Sequence, residues 1–141
     1  MDRVFLDANV LFSAAYSETS GLTRLWKLRG VELVTSGYAL GETLRNVETV
    51  QHRSETVQHR SRLARLMIDV TVVPEPATIP PECGRLADKD QPILAAAIAA
   101  RATHLLTGDL THFGRFWGKT IGEVLILRPS EYLGAKQRKR E

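Results

Sequence analysis

Short runs of β-branched and leucine residues alternate with helix-length segments along this 141-residue chain, and no other feature limits its fold as much. Five runs read as strands: Arg3 to Leu6, Val31 to Thr35, Val70 to Val73, His104 to Leu106 and Val124 to Leu127. Ala8 to Tyr16 reads as a helix, and so does Gly21 to Arg29, with Leu22, Leu25, Trp26 and Leu28 largely on one side and Gly30 as its stop. Ser36 is placed to N-cap a helix running through Leu40 and Leu44. Asp88 to Ala102 reads as an alanine-rich helix, with Pro92 tolerated in its first turn. Strands that alternate with helices pair in parallel and are covered on both faces. The expectation is therefore an α/β fold, a three-layer α/β/α sandwich around a mostly parallel sheet of about five strands. In such sheets ligands sit beyond the carboxyl ends of the strands, where the strand order reverses.

Length and composition suit one soluble domain, with 43% hydrophobic and 25% charged residues. We expect that domain to span residues 1–135, followed by a mobile basic tail over 136–141 with four cations between Lys136 and Arg140. Pro74, Pro76, Pro80 and Pro81 mark an exposed connection after the third strand. The single cysteine, Cys83, forms no internal disulfide, and no Cys/His spacing resembles a zinc site. The longest apolar run, Ile93 to Ala100, is too short to span a bilayer. Arg3 followed so soon by Asp7 does not make a secretory signal, so the expected compartment is the cytoplasm. A net charge of +3 mildly favours a phosphate-bearing partner.

One segment is duplicated. Glu48 to Ser54 reads ETVQHRS, and Glu55 to Ser61 repeats it. Seven residues are close to two helical turns, so a helix accepts the extra heptad with about 20° of rotation. The reading is a longer, solvated helix with Val50 and Val57 turned inward and His52 and His59 on the surface.

Four carboxylates stand where this layout brings them together. Asp7 directly follows the first strand and Asp109 the fourth, in the stretch Thr107-Gly108-Asp109. Glu42 lies about two turns into the helix after the second strand, and Asp90 opens the alanine-rich helix. Each alone has an ordinary explanation as a turn residue, a helix cap or an exposed acid. As a group they repel one another unless a cation neutralises them. Hard oxygen ligands select Mg²⁺ or Mn²⁺, which can activate water against a phosphodiester. Arg45, one turn after Glu42, is a candidate for binding substrate phosphates.

These pieces, in this order, resemble a PIN domain, in particular the small VapC-type toxins. The pattern is a strand running into D-x-N, a Ser-initiated helix with an internal Glu, a D-x-D run before an Ala-rich helix, and a strand ending T-x-D. It extends from about Arg3 to Leu127. The resemblance implies a Mg²⁺- or Mn²⁺-dependent endoribonuclease with catalytic residues Asp7, Glu42, Asp90 and Asp109. Asp7, Asp90 and Asp109 would be metal ligands, and Glu42 would help orient the attacking water. Asn9 and Thr107 would hydrogen-bond the carboxylates. Asp88 is the alternative to Asp90 within the D-x-D run. The resemblance further implies a homodimer, an RNA substrate and a cognate antitoxin protein, with no membrane partner.

Other readings are a PIN-type nuclease in RNA processing or decay, and a non-catalytic nucleic-acid-binding module. The latter has no need of four carboxylates, which repel phosphate when metal is absent. A phosphatase of the haloacid-dehalogenase type would carry an acid two residues after its aspartate. Asn9 occupies that position here and cannot transfer the proton.

Overall fold

Alternate residues of β1 (Asp2–Leu6) face opposite ways into two apolar layers, which is the pattern of a strand buried on both faces. Phe5 packs with Val34, Leu105 and Ile126 against one layer, and Val4 and Leu6 pack with Leu33 and Leu106 against the other. The computed structural model describes residues 1–49 and 52–140. The remaining strands are β2 (Val31–Ser36), β3 (Val70–Val73), β4 (His104–Leu106), β5 (Thr120–Ile121) and β6 (Val124–Leu127). They form one six-stranded sheet in the order β3-β2-β1-β4-β6-β5, parallel except for the β5–β6 pair.

Helices cover both faces, giving the expected α/β/α layers. α1 (Ala8–Ala15), α3 (Arg53–Met67) and α6 (Pro129–Arg140) bring Val10, Leu11, Leu63, Tyr132 and Leu133 to one face. α4 (Gln91–Ala99) and the short α5 (Leu110–Phe113) bring Leu94, Ala96 and Phe113 to the other. α2 (Gly37–Thr49) starts as read, with the Ala39 amide donating to Ser36 Oγ at 3.2 Å. From β1 the chain moves outward through β2 and β3, then returns to place β4 on the other side of β1. The β1/β4 gap is therefore the switch point of the sheet.

Several elements differ from the sequence reading. The sixth strand, β5, is only two residues long, too short to show periodicity. Its hairpin turns through Gly122 and Glu123, both at positive φ (55° and 68°), the geometry that joins tightly paired antiparallel strands. Gly21–Lys27 is a 3₁₀ helix, and α4 occupies Gln91–Ala99 in place of the longer helix read over 88–102. The basic residues from Lys136 continue α6 as helix to Arg140, where a free tail was expected.

The duplicated heptad is not one continuous helix. In its first copy Glu48 and Thr49 end α2 while Arg53 and Ser54 open α3, its second copy lies wholly in α3, and Val50 lies outside the described residues. Val57 is 59% exposed, not inward, and His59 is 1% exposed, not on the surface. The reason lies in α1, whose last carbonyls need partners. His59 Nε2 lies 2.9 Å from the Phe12 carbonyl, with its ring edge-on to Phe12 and Tyr16. Arg62 donates to the carbonyls of Ala15 and Tyr16 at 2.7 and 2.6 Å. These contacts turn the His59 side of α3 inward and leave Val57 outside.

Candidate active site

Asp7 leaves β1 as the N-cap of α1, and its position there is fully used. Its Oδ1 accepts from the Ala8 amide at 2.7 Å, and its Oδ2 accepts from Thr107 Oγ1 at 2.8 Å and Asn9 Nδ2 at 3.1 Å. Thr107, at the end of β4, is fully buried and joins the two strand ends. Besides donating to Asp7, its Oγ1 accepts from Asn9 Nδ2 and from the Asp109 amide, each at 3.2 Å. Asn9 Oδ1 accepts from the Gly108 amide at 2.8 Å. Asn9 and Thr107 thus hydrogen-bond a carboxylate of the acidic group, Asp7, in keeping with the resemblance.

Asp109 caps α5, accepting from the His112 amide at 3.1 Å, while its Oδ2 lies 2.6 Å from His112 Nδ1. Asp90 occupies the N-cap position of α4 but makes no side-chain cap bond. It is buried, and its Oδ2 has no hydrogen-bond partner among the described residues. A buried carboxylate oxygen without a donor is costly, and a cation is the partner that removes the cost. One ligand atom each from Asp90, Asp109 and His112 lie within 4.8 Å of one another. Asp7 and Glu42 stand outside that tightest group and are coupled to it electrostatically. Asp88, the alternative to Asp90, is exposed.

Burial pushes the Asp7 carboxyl up to about 6. The Thr107 and Ala8 hydrogen bonds act against that rise, and the Glu42 and Asp109 charges add to it. Burial also raises Glu42; nearby Arg45 opposes the rise and Asp90 reinforces it. Asp90 is raised by burial as well, with His112 and Lys89 opposing and Asp109 adding. The carboxylates therefore sense one another in a partly dry pocket, and two or three oxygen donors there suit a hard divalent ion. Arg45 is exposed on α2 near Glu42.

Two residues at the pocket escaped the sequence reading. His112 sits one helical turn beyond Asp109, and D-x-x-H after a strand was the available signal. Tyr38 donates its hydroxyl to the Lys89 carbonyl at 2.8 Å, tying α2 to the loop before α4. Burial and then the charges of Glu42 and Asp90 raise its phenol, which places it beside the acids. No sequence pattern marks it.

No curated protein sequence matches this chain. Among solved structures it is similar to VapBC2 from Rickettsia felis, bound to a promoter DNA fragment, at 18% identity over 89% of this chain and 98% of that one, with a TM-score of 0.66. It is similar to VapC20 from Mycobacterium tuberculosis, a sarcin–ricin-loop-cleaving toxin, at 16% identity over 77% and 91%, with a TM-score of 0.56. It is also similar to VapBC-5 from the same organism, a member of the VapBC family of toxin–antitoxin systems, at 17% identity over 91% and 99%, with a TM-score of 0.54. At these identities the likeness speaks for the fold. The sequence comparison goes further, because a family model described as PIN domain matches residues 3–111, from the first strand through the Asp109 turn. The chain belongs to the PIN domain family.

Proposed function

We propose that the protein is a divalent-metal-dependent endoribonuclease and the toxin of a toxin–antitoxin pair. The observation that carries the chemistry is Asp90 Oδ2, buried without a donor beside Asp109 and His112. Asp7, Asp90 and Asp109 are the proposed ligands of a Mg²⁺ or Mn²⁺ ion, with His112 holding Asp109 or joining the set. Such an ion, when bound, supplies an activated water and charge neutralisation at the phosphate. Glu42 orients that water, and its raised carboxyl suits it to accept a proton. Thr107 and Asn9 hold Asp7 in position through its Oδ2. Arg45 lies on the same helix as Glu42 and is proposed to contact a substrate phosphate.

RNA is the proposed substrate because VapC20, one of the similar structures, cleaves the sarcin–ricin loop. A cognate antitoxin, and with it a homodimeric toxin in the cytoplasm, is proposed from the resemblance to VapBC systems. No helix among the described residues is long and apolar enough to cross a membrane.

The test is cleavage of structured RNAs by the purified chain. Activity should require Mg²⁺ or Mn²⁺, vanish in EDTA and be lost in Asp7→Asn. Cleavage that persists in EDTA, or an Asp7→Asn variant of full activity, would overturn the proposal.

A further inference from the structure

A further feature adjoins the residues that hold Asp7. Trp117 donates its indole N–H to the carbonyl of Thr107 at 3.0 Å, so its ring is fixed to the residue that also holds Asp7. Arg128 stacks on that ring, with its guanidinium carbon 5.0 Å from the centroid. Its Nε lies 3.3 Å from Glu131 Oε1, and among the described residues no group takes its terminal nitrogens. A guanidinium pinned at its face and at Nε keeps two parallel donors for a phosphate. Arg128 lines a cleft of about 270 Å³ whose other wall includes Asn9, Ser13 and Gly108, and Asn9 bonds Asp7.

The cleft opens between the 3₁₀ helix Gly21–Lys27 (through Leu22) and the start of α6 (through Pro129 and Ser130). A second cleft of about 360 Å³ lies between the same two elements and is lined by Arg24, Lys27 and Lys136. Lys136 pairs with Asp2, but among the described residues no carboxylate pairs with Arg24 or Lys27. Two unpaired cations and a braced arginine along one seam are complementary to a polyanion, not to a neutral ligand.

We propose that this seam, from Arg128 to Arg24 and Lys27, is the track on which the RNA strand flanking the cleavage site lies. The idea rests on the ribonuclease reading, and it adds the direction in which substrate leaves the acidic pocket. Arg128 takes the phosphate nearest the pocket, and Arg24 and Lys27 take phosphates further along.

Binding of a fluorescein-labelled single-stranded RNA 12-mer to the full chain, followed by anisotropy in EDTA across a salt series, tests it. Each lost phosphate contact should flatten the slope of log K against log salt by about 0.7, which at about 100 mM salt is roughly fivefold in Kd. Arg128→Ala should show one such step, and the exposed double variant Arg24→Ala/Lys27→Ala two. Arg65→Ala, on α3, should change neither slope nor Kd. A wild-type slope in the double variant would overturn the track, and that variant decides even if Arg128→Ala proves unstable. Poly-glutamate competing as well as RNA at equal charge would also overturn it, in favour of an acidic protein partner. If the wild-type chain cuts RNA with Mn²⁺ while the double variant binds like wild type, only the track fails. If the wild-type chain neither binds nor cuts RNA, the ribonuclease reading fails with it.

Discussion

Asp7 accepts hydrogen bonds from three donors, yet burial still holds its carboxyl at about 6, against an ordinary 3.8. A carboxylate raised in the fold opposes folding once it ionises. The penalty is absent below the unfolded value and complete above about 6, worth roughly 3 kcal/mol. Metal-free protein should therefore lose stability at this residue as pH rises from 4 to 7, and Asp7→Asn should flatten that loss. Urea denaturation at pH 4.5 and 7.5 checks it, and an unchanged difference between the two pH values in Asp7→Asn contradicts it. His112 has a separate consequence. Its Nδ1 lies 2.6 Å from Asp109 Oδ2, so His112→Ala should weaken Mn²⁺ binding by roughly 10- to 100-fold, read by calorimetry, while the fold is kept. Unaltered affinity would show that the His112–Asp109 contact plays no part in metal binding. That Glu42 and Asp90 lie near one another was legible from their places after a strand and at the start of a helix. The place of Tyr38 was not, because it depends on how α2 meets the loop before α4.

At the scale of elements, the duplicated heptad separates what periodicity can and cannot say. Two identical copies occupy different environments, because α1 offers buried carbonyls to only one of them. His59→Ala should cost about 2–3 kcal/mol through its lost hydrogen bond and ring contacts, whereas the exposed His52→Ala should cost under about 0.5 kcal/mol. Thermal denaturation of the two variants decides, and equal losses would contradict the assignment. Deleting either copy yields the same chain. Thr56 Oγ1 donates to the Val47 carbonyl at 3.3 Å, so after excision of residues 48–54 the two residues on either side of Glu55 already touch. One residue can bridge them, and the deletion should fold and keep its metal-dependent cleavage. Global unfolding would show instead that the extra turns belong to the core. The strands of the parallel sheet were legible from their apolar runs. β5 was not, because two residues carry no period and the hairpin rests on positive φ at Gly122 and Glu123.

For the whole molecule, strand order decides where chemistry can occur. Because β1 and β4 are neighbours at the switch point, Asp7 and Asp109 meet across one gap although they lie about a hundred residues apart. Alternation predicted a mostly parallel sheet covered on both faces but not this strand order, and strands ending in aspartate predicted an acidic lining. What it could not predict is the burial of Asp90, which leaves one carboxylate oxygen without a donor. That oxygen separates a cation site from a set of helix caps, since a capping Asp90 would accept from its own helix. The most direct measurement is the rate at which metal-stripped protein cleaves a structured RNA before and after Mn²⁺ is restored, in wild type and in Asp90→Asn. Restored Mn²⁺ should switch on cleavage in wild type, and Asp90→Asn should fall by more than the roughly 100-fold that outer-shell changes cost. Wild-type rates in Asp90→Asn, or cleavage by the stripped protein, would contradict the account.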